Sequence, residues 1–130
     1  MRSRSVTLTS GELEIMKVVW ERDHVTVRDV YEALSETRKV AYTTVMTMMK
    51  ILEQKKYLKK SQADRAHVYR AAQPRKTVIG AMVRDFVNRV FNGSAEPLLV
   101  HLVEEHGLSA EDVEEIAQIR KDTGKKGGKK

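Results

Sequence analysis

Apolar residues recur at helical spacing in the first half of the chain, and each of the first two runs follows a helix-starting motif. Thr9 precedes Glu12 by three residues, and Thr26 precedes Asp29 by the same interval. A threonine with an acidic residue three positions later forms a capping box, in which each side chain accepts a backbone N–H from the other residue. The pattern therefore predicts two short helices with these inward-facing residues: Leu13, Met16, Val19, Trp20, Val27, Val30, Tyr31 and Leu34.

A third apolar stripe predicts a helix within the stretch Ala41–Lys55, around which the rest of the chain is organised. Its inward positions follow the spacing i, i+3, i+4 and i+7, which is typical of one buried helix face. They are Val45, Met48, Met49 and Leu52.

The opposite side of this third helix carries hydroxyls, a thioether and a lysine, where most exposed helices carry pairs of glutamate and lysine. Hydroxyl and ammonium groups can bond to base edges or phosphates, and methyl groups can contact the methyl of thymine. One interpretation is a solvent-facing helix without a partner; the other is a helix that lies in the major groove of DNA. On the second interpretation the residues that read bases are Thr43, Thr44, Met46, Thr47 and Lys50.

Two short alternating segments follow the third helix and predict a β-hairpin from Tyr57 to Ala71, with a polar turn at Gln62–Ala66. Three helices followed by a hairpin form a winged helix-turn-helix arrangement. Arg65, at the tip of the wing, can enter a minor groove or contact a phosphate. The residues predicted to hold the DNA backbone are Arg38, Lys39, Tyr42 and Arg65.

The second half of the chain predicts three further amphipathic helices after Pro74. The first extends from Thr77 to Phe91, the second opens at Glu96, and the third follows a capping box between Ser109 and Asp112. Helices of this length struggle to bury their apolar faces without a partner, so we expect pairing with a second copy of the chain. The predicted dimerisation residues are Ile79, Met82, Val83, Phe86, Val90, Leu98, Leu99, Leu102, Val103, Val113 and Ile116.

The predicted fold is thus mainly α with a small β-hairpin wing. A winged helix-turn-helix DNA-binding domain occupies residues 1–73, and a C-terminal helical dimerisation domain occupies residues 74–120. Residues 121–130 are rich in lysine and glycine and are predicted to form a disordered basic tail.

The positive charge is unevenly distributed along the chain. The 130 residues carry a net charge of +6. Residues 38–70 hold nine basic and two acidic residues, whereas residues 1–37 hold five basic and seven acidic ones. Neutralising phosphates releases condensed counterions, so a basic segment that includes the third helix and the wing favours a nucleic-acid partner.

Other chemistry finds little support in the sequence. The chain has no cysteine, and it has no apolar run of the roughly 20 residues that span a bilayer. We therefore expect a soluble cytoplasmic protein with no cofactor. No nucleophile–base pair, glycine-rich phosphate loop or set of metal ligands is recognisable, so we expect neither an enzyme nor a metal site. His101 and His106 are five residues apart and do not share one helix face.

The motifs in combination resemble the BlaI/MecI/CopY family of bacterial repressors. The matching segments are Leu13–Trp20, Thr26–Leu34, Ala41–Thr47, Asp64–Tyr69 and Leu99–Glu105. The resemblance implies a winged-helix homodimer that binds a palindromic operator in double-stranded DNA and blocks transcription, often of antibiotic-resistance genes. In that family the recognition helix corresponds to Tyr42–Gln54 and the wing to Tyr57–Ala71. The copper-responsive branch uses cysteines, which this chain lacks.

The resemblance also implies a mode of release. Repressors of the penicillinase type are cleaved in the dimerisation region by a membrane sensor-protease that responds to β-lactam, at an Asn–Phe bond in the best-known members. The matching bond in this chain is His101–Leu102, which also places a polar residue before a large apolar one.

The predicted function is a homodimeric, sequence-specific repressor of β-lactam resistance or related stress genes, inactivated by proteolysis in its dimerisation domain. Two alternatives remain open on the sequence. One is an architectural DNA-binding protein without a regulatory role, and the other is a repressor released by a small ligand.

Overall fold

The computed structural model describes residues 8–63 and 66–127. The described chain forms six α-helices and one two-stranded antiparallel hairpin. In chain order the elements are α1 (Ser10–Arg22), α2 (Val27–Ser35), α3 (Tyr42–Gln54), β1 (Leu58–Ala63), β2 (Ala66–Ala71), α4 (Arg75–Phe91), α5 (Glu96–His106) and α6 (Ala110–Gly127). The fold class predicted from the sequence, mainly α with a hairpin wing, is confirmed.

The first two helices begin at the predicted capping boxes. The Thr9 amide donates to Glu12 Oε1 at 3.0 Å, and the Glu12 amide donates to Thr9 Oγ1 at 3.1 Å. The Thr26 amide donates to Asp29 Oδ2 at 2.9 Å, with the return bond to Thr26 Oγ1 at 3.1 Å. These bonds satisfy backbone donors that have no partner inside a helix, and so they fix where each helix begins.

One hydrophobic core joins α1, α2, α3 and the hairpin. Its members are Leu8, Ile15, Met16, Val19, Val25, Val30, Leu34, Val45, Met49, Leu52, Tyr57, Leu58, Tyr69 and Val78. Ile15 is fully buried although the predicted inward face of α1 did not include it. Gly11 lets α3 approach α1 closely, because a Cβ at that position would lie 2.7 Å from Cε of Met48.

The two strands of the hairpin extend further toward the turn than the sequence predicts, and β1 begins at Leu58 and not at Tyr57. β1 pairs with β2 from Leu58↔Ala71 to Ala63↔Ala66, so only residues 64 and 65 lie between the strands, not the predicted five-residue turn. Residues 61–66 contain no large apolar side chain, so the alternation of apolar and polar positions that marks a strand is not visible there. Backbone bonds between Val25 and Tyr69, at 3.0 and 2.7 Å, attach the hairpin to the α1–α2 connection.

A buried ion pair connects the start of α1 with the residue after α3. Lys55 Nζ donates to both oxygens of the Glu12 carboxylate, at 2.9 and 3.1 Å. The Glu12 side chain is 7% exposed and that of Lys55 is 24% exposed. Burial raises the pKa of Glu12, but the hydrogen bonds from Lys55 and the Thr9 backbone and the charge of Lys55 outweigh it, so the net pKa lies below its usual value.

The chain divides into two compact units, residues 1–85 and 86–130, and the division falls within α4. Val78 is buried in the core of the first unit, and Met82 packs against that core. In the same unit, Trp20 Nε1 donates to the backbone oxygen of Gln73 at 3.0 Å. The first half of α4 is thus part of the unit that contains the hairpin, whereas the sequence assigned all of α4 to the second domain.

In the second unit, α5 and α6 are separated by a short connection. Gly107 adopts the left-handed conformation, with φ of 72°, and ends α5. The predicted capping box opens α6, since the amides of Ser109 and Asp112 each donate to the other side chain at 3.0 Å.

Helix α6 continues to Gly127, although the sequence predicted a disordered tail from residue 121. Residues 128–130, the remainder of the predicted tail, lie outside the described part of the chain.

We expect Lys55→Met to lower the free energy of unfolding by about 2 kcal/mol, because it leaves the buried Glu12 carboxylate without its cationic partner. Urea denaturation with an unchanged m-value measures this loss, and Lys17→Met, at an exposed position of α1, serves as the control. A variant as stable as the wild type would contradict a stabilising role for the pair.

The same carboxylate predicts a pH dependence. Because the pKa of Glu12 in the folded protein lies below the usual value of 4.5, its contribution to stability is fully present above that value. The contribution is lost as the pH falls through the folded-state pKa. Urea titrations across this range should therefore show a smaller pH dependence for Glu12→Gln than for the wild type.

Candidate nucleic-acid interface

Helix α3 presents one face to solvent because its other face is fixed in the core. Val45, Met49 and Leu52 are fully buried. At 3.6 residues per turn, the positions opposite to them are Thr43, Thr47, Lys50 and Gln54, and all four are exposed. The exposed surface is therefore made of hydroxyl, ammonium and amide groups, which can donate and accept hydrogen bonds.

The two flanks of this face differ. Tyr42 and Met46, each 40% exposed, lie on the flank that faces the hairpin, and the ring of Tyr42 meets that of Tyr31 edge-on at 5.5 Å. Thr44 and Ile51 lie on the other flank. Ile51 is 38% exposed, and the sequence analysis did not include it among the outward residues.

The start of α3 differs from those of α1, α2 and α6. The N-cap residue is Ala41, which makes no side-chain hydrogen bond. The first N–H groups of this helix therefore have no side-chain acceptor at the cap and point toward solvent. This end of the helix has the positive end of the helix dipole and no acidic residue in its first turn, an arrangement that favours anions.

A cleft of about 620 Å³ lies between the beginning of α2, the flank of α3 and the hairpin. In the hairpin register Lys60 is opposite Tyr69 and Gln62 is opposite His67, so Lys60, His67 and Tyr69 share one face of the two strands. Arg28 and Lys50 reach the same cleft from α2 and α3. Four potential cations from three elements thus surround one concave surface.

The structure brings together only some of the residues predicted to bind DNA. Tyr42, Met46 and Lys50 line the cleft, and Thr43 and Thr47 share the exposed face of α3 with Lys50. Lys39 is exposed in the connection before α3. Arg65 lies outside the described residues.

Two cations of the basic segment are bonded to carboxylates of α1. Arg38 donates from Nη2 to Glu14 Oε1 at 2.6 Å, which ties the α2–α3 connection to α1. Lys55 is bonded to Glu12, as described above. The segment therefore offers fewer unpaired positive charges than its composition suggests. The guanidinium group of Arg38 is directed toward Glu14.

Arg28 and His67 were missed in the sequence analysis as residues of this surface, whereas Lys60 was included there only as one lysine of the basic segment 38–70. The alternation of the hairpin could have placed Lys60 and His67 on one face, and the Thr26 cap fixes Arg28 in the first turn of α2. What the sequence did not show is that the first turn of α2 and the hairpin face each other across a cleft beside α3.

A second exposed surface lies in the second unit and is apolar. A groove of about 600 Å³ is lined by Pro97, Leu99, Val100 and Val103, with Ser94, Glu96 and Glu104 at its edges. No residue from 86 to 119 is buried. The exposed large apolar residues include Val83, Phe86, Val90, Leu99, Val103 and Ile116, all of which the sequence predicted to form a dimer interface.

The other predicted interface residues are partly covered. Ile79, Leu98, Leu102 and Val113 are half-buried, and Met82 packs against the core of the first unit. His101, at the predicted cleavage bond, is exposed within α5, and its ring lies 6.1 Å from that of Phe91.

Two negative findings apply to the described part of the chain. It contains no group of three or more histidine, cysteine, aspartate or glutamate residues placed to hold a metal ion. Among the same residues, no helix is both long enough and apolar enough to span a membrane.

Three helices closed by a hairpin, with a hydroxyl-rich and cationic third helix exposed, define the winged-helix class of DNA-binding proteins. The family model described as "Penicillinase repressor" matches residues 8–122. The chain belongs to the penicillinase repressor family, which is a family of transcriptional repressors and not of enzymes.

Relatives with established names agree with this assignment. The transcriptional regulator BlaI of Mycobacterium tuberculosis is 41% identical over 106 residues, which cover 78% of this chain and 77% of that protein. The penicillinase repressor of Bacillus licheniformis is 30% identical over 112 residues, covering 86% and 88%. A solution structure of the B. licheniformis BlaI monomeric form in complex with the blaP half-operator is 28% identical and covers 54% of this chain and 85% of that chain, with a TM-score of 0.48.

Proposed function

We propose that the protein is a homodimeric repressor that binds a palindromic DNA operator and controls β-lactam resistance or related stress genes. The observation that carries the proposal is the exposed face of α3, in a chain that belongs to the penicillinase repressor family. The core buries one side of this helix and leaves hydroxyls and a lysine on the other. The major groove of B-DNA admits an α-helix and displays a different pattern of donors and acceptors for each base pair.

The residues on this face have distinct roles in the proposal. Thr43, Thr44, Met46, Thr47 and Lys50 read base edges and thymine methyls, while Lys39, Tyr42 and Arg65 hold the sugar–phosphate backbone. Arg38 belongs to the backbone group only if a phosphate replaces Glu14 as its partner. Side chains that contact phosphates set the register of the helix on the duplex, and those that contact bases set the sequence.

Dimerisation is supported by the exposed apolar surface of the second unit. A unit that buries no residue between 86 and 119 has little hydrophobic stabilisation of its own. A second copy of the chain offers the same apolar surface, which allows a two-fold symmetric interface. Two winged helices joined in this way bind two half-sites at once, and their combined affinity far exceeds that of one half.

Release by proteolysis is the regulatory part of the proposal. The matching bond, His101–Leu102, lies in the middle of α5. Leu102 is half-buried, as is Leu98 one turn earlier in the helix. Cleavage of this bond divides the helix that lines the apolar groove and so removes the surface that joins the two copies. A membrane sensor-protease is the proposed agent. Because the bond is helical, α5 has to open locally before a protease can reach it.

The experiment that tests the proposed function combines a DNA selection with sedimentation. The full chain selects its preferred duplexes from a random pool, and analytical ultracentrifugation then measures the stoichiometry on the selected sequence. We expect a palindromic consensus with half-sites separated by a multiple of about 10 bp, bound by two copies. Recovery of unrelated sequences would instead support an architectural DNA-binding protein.

Thr47→Ala and Lys50→Ala are expected to weaken binding to the selected duplex by about 1–3 kcal/mol more than binding to a scrambled duplex. The reason is that these side chains lie at the centre of the exposed face of α3. Fluorescence anisotropy on both duplexes measures the difference. Thr77→Ala, at an exposed position of α4, and Lys17→Ala are the matched controls. Equal losses on the two duplexes would refute a base-reading role.

Truncation after residue 85 is expected to leave a folded monomer that binds DNA weakly, because the first unit keeps Val78 and Met82 but loses the apolar surface of the second unit. Truncation after residue 74 removes Val78 from the core and should lower the unfolding free energy by a further 2 kcal/mol or so. Sedimentation and urea denaturation measure both effects. A dimer that persists after truncation at residue 85 would place the interface elsewhere.

Ile116→Glu is expected to convert the dimer into a monomer, because it places a charge on an isoleucine that is 54% exposed in the single chain. Because Ile116 is exposed in the single chain, we expect the variant to remain folded. Circular dichroism checks that its helix content is unchanged. Glu115→Ala changes the neighbouring exposed residue and should leave the dimer intact. If both variants sediment as the wild type does, α6 is not part of the interface.

A further inference from the structure

The cleft between α2, α3 and the hairpin has a chemical character different from that of the exposed face of α3. Arg28, Lys50, Lys60 and His67 line it, and no acidic residue is among its lining residues in the described chain. Val27, Tyr42 and Met46 add apolar surface. Its volume of about 620 Å³ is in the range of sites that enclose small organic molecules.

Two carboxylates stand next to these cations without lining the cleft. Glu53 Oε1 lies 3.9 Å from Lys60 Nζ, and Glu32 Oε2 lies 3.5 Å from Nε of Arg28. Both separations exceed the usual length of a charge-assisted hydrogen bond, and the Arg28–Glu32 pair is largely exposed. Such pairs contribute little stability, so a phosphate in the cleft can replace either carboxylate at small cost.

Glu53 occupies a special position in the sequence as well. It is the single acidic residue of α3 and lies on the flank that faces the hairpin, so its carboxylate is near both Lys60 and Tyr69. Lys60 also lies over the ring of Tyr69, with Nζ 5.9 Å from the centroid. In the free protein, therefore, Lys60 is held between an aromatic ring and a carboxylate at the edge of the cleft.

We propose that this cleft binds one sugar–phosphate strand of duplex DNA and that Glu53 restrains this binding by competing for Lys60. Arg28, Lys60 and His67 donate to phosphate oxygens, while Tyr42 packs against the sugar. The phosphate displaces the Glu53 carboxylate from Lys60 as it enters. This inference rests on the proposed DNA-binding function and adds to it a phosphate site that adjoins the base-reading face at Met46 and Lys50.

The competition has a consequence for the occupancy of non-specific DNA. A carboxylate beside the phosphate site lowers the affinity for every duplex equally, because phosphates carry no sequence information. The Glu53 carboxylate does not change the base contacts proposed for Thr43 and Thr47, on the exposed face of α3. Glu53 thus lowers non-specific occupancy, and the specific contacts then account for a larger share of the total binding free energy.

The test uses the full chain and a random-sequence duplex of about 20 bp, so that it depends on phosphate contacts alone. Binding is measured by anisotropy at several salt concentrations, and the slope of log K against log salt reports the number of phosphates neutralised. We expect Arg28→Ala and Lys60→Ala each to reduce the magnitude of the slope by about one per bound protomer.

Lys59→Ala is the matched control, because Lys59 neighbours Lys60 but lies on the opposite face of the hairpin, where it pairs with Arg70 in the register. Its slope should equal that of the wild type. Glu53→Gln should raise the affinity for random duplex about five-fold at low salt, since it removes the carboxylate beside Lys60. A gain of affinity cannot result from partial unfolding.

Two results would overturn the proposal: unchanged slopes for both Arg28→Ala and Lys60→Ala, or equal losses for Lys59→Ala and Lys60→Ala. Unchanged or reduced affinity of Glu53→Gln would overturn the restraining role of this residue. These outcomes are distinct from a failure of the proposed repressor function. If the repressor function is wrong, the wild-type protein shows no sequence preference in the selection. The salt slopes measured on random duplex still test the phosphate site independently.

Discussion

The position of α3 depends on the Glu12 carboxylate, which accepts hydrogen bonds from both the Thr9 amide and Lys55. Glu12 completes the capping box that begins α1, and its two oxygens accept from Lys55, the residue directly after α3. One buried group thus joins the first turn of one helix to the end of another. Because the described chain contains no buried side-chain polar atom without a partner, this charge is held in the core with its hydrogen bonds satisfied. Together with the burial of Val45, Met49 and Leu52, the pair determines which face of α3 is exposed.

Features with local causes could be predicted from the sequence. Helix α3, Tyr42–Gln54, lies within the stretch Ala41–Lys55 that the apolar pattern predicted to be helical, and the capping boxes at Thr9, Thr26 and Ser109 are all formed. Each of these depends on residues three or four positions apart. The Glu12–Lys55 pair joins residues 43 positions apart, and no pattern in the chain reveals it. The cleft was missed for the same reason, since it is created by packing between distant segments.

The net charge of residues 38–70 is larger than the positive charge that this segment leaves unpaired for a ligand. Residues 38–70 are strongly basic, yet Arg38 is paired with Glu14 and Lys55 with Glu12. Their partners come from α1, which belongs to the acidic first part of the chain. Folding therefore distributes the cations between two tasks, internal stabilisation and contact with a polyanion. Only the side-chain geometry shows which cations are paired internally, and in this protein it adds Arg28, from outside the basic segment, to the cleft that we propose binds DNA.

The unburied apolar surface of the second unit also bears on gene dosage. Under the proposed pairing, the concentration of dimers able to bind both half-sites follows mass action and rises with the square of the chain concentration when dimers are scarce. A cell in which part of the chains has been degraded therefore loses operator occupancy faster than it loses chains. The threshold is set by how tightly α5 and α6 associate with their counterparts, so substitutions far from any base pair can change the level at which transcription begins.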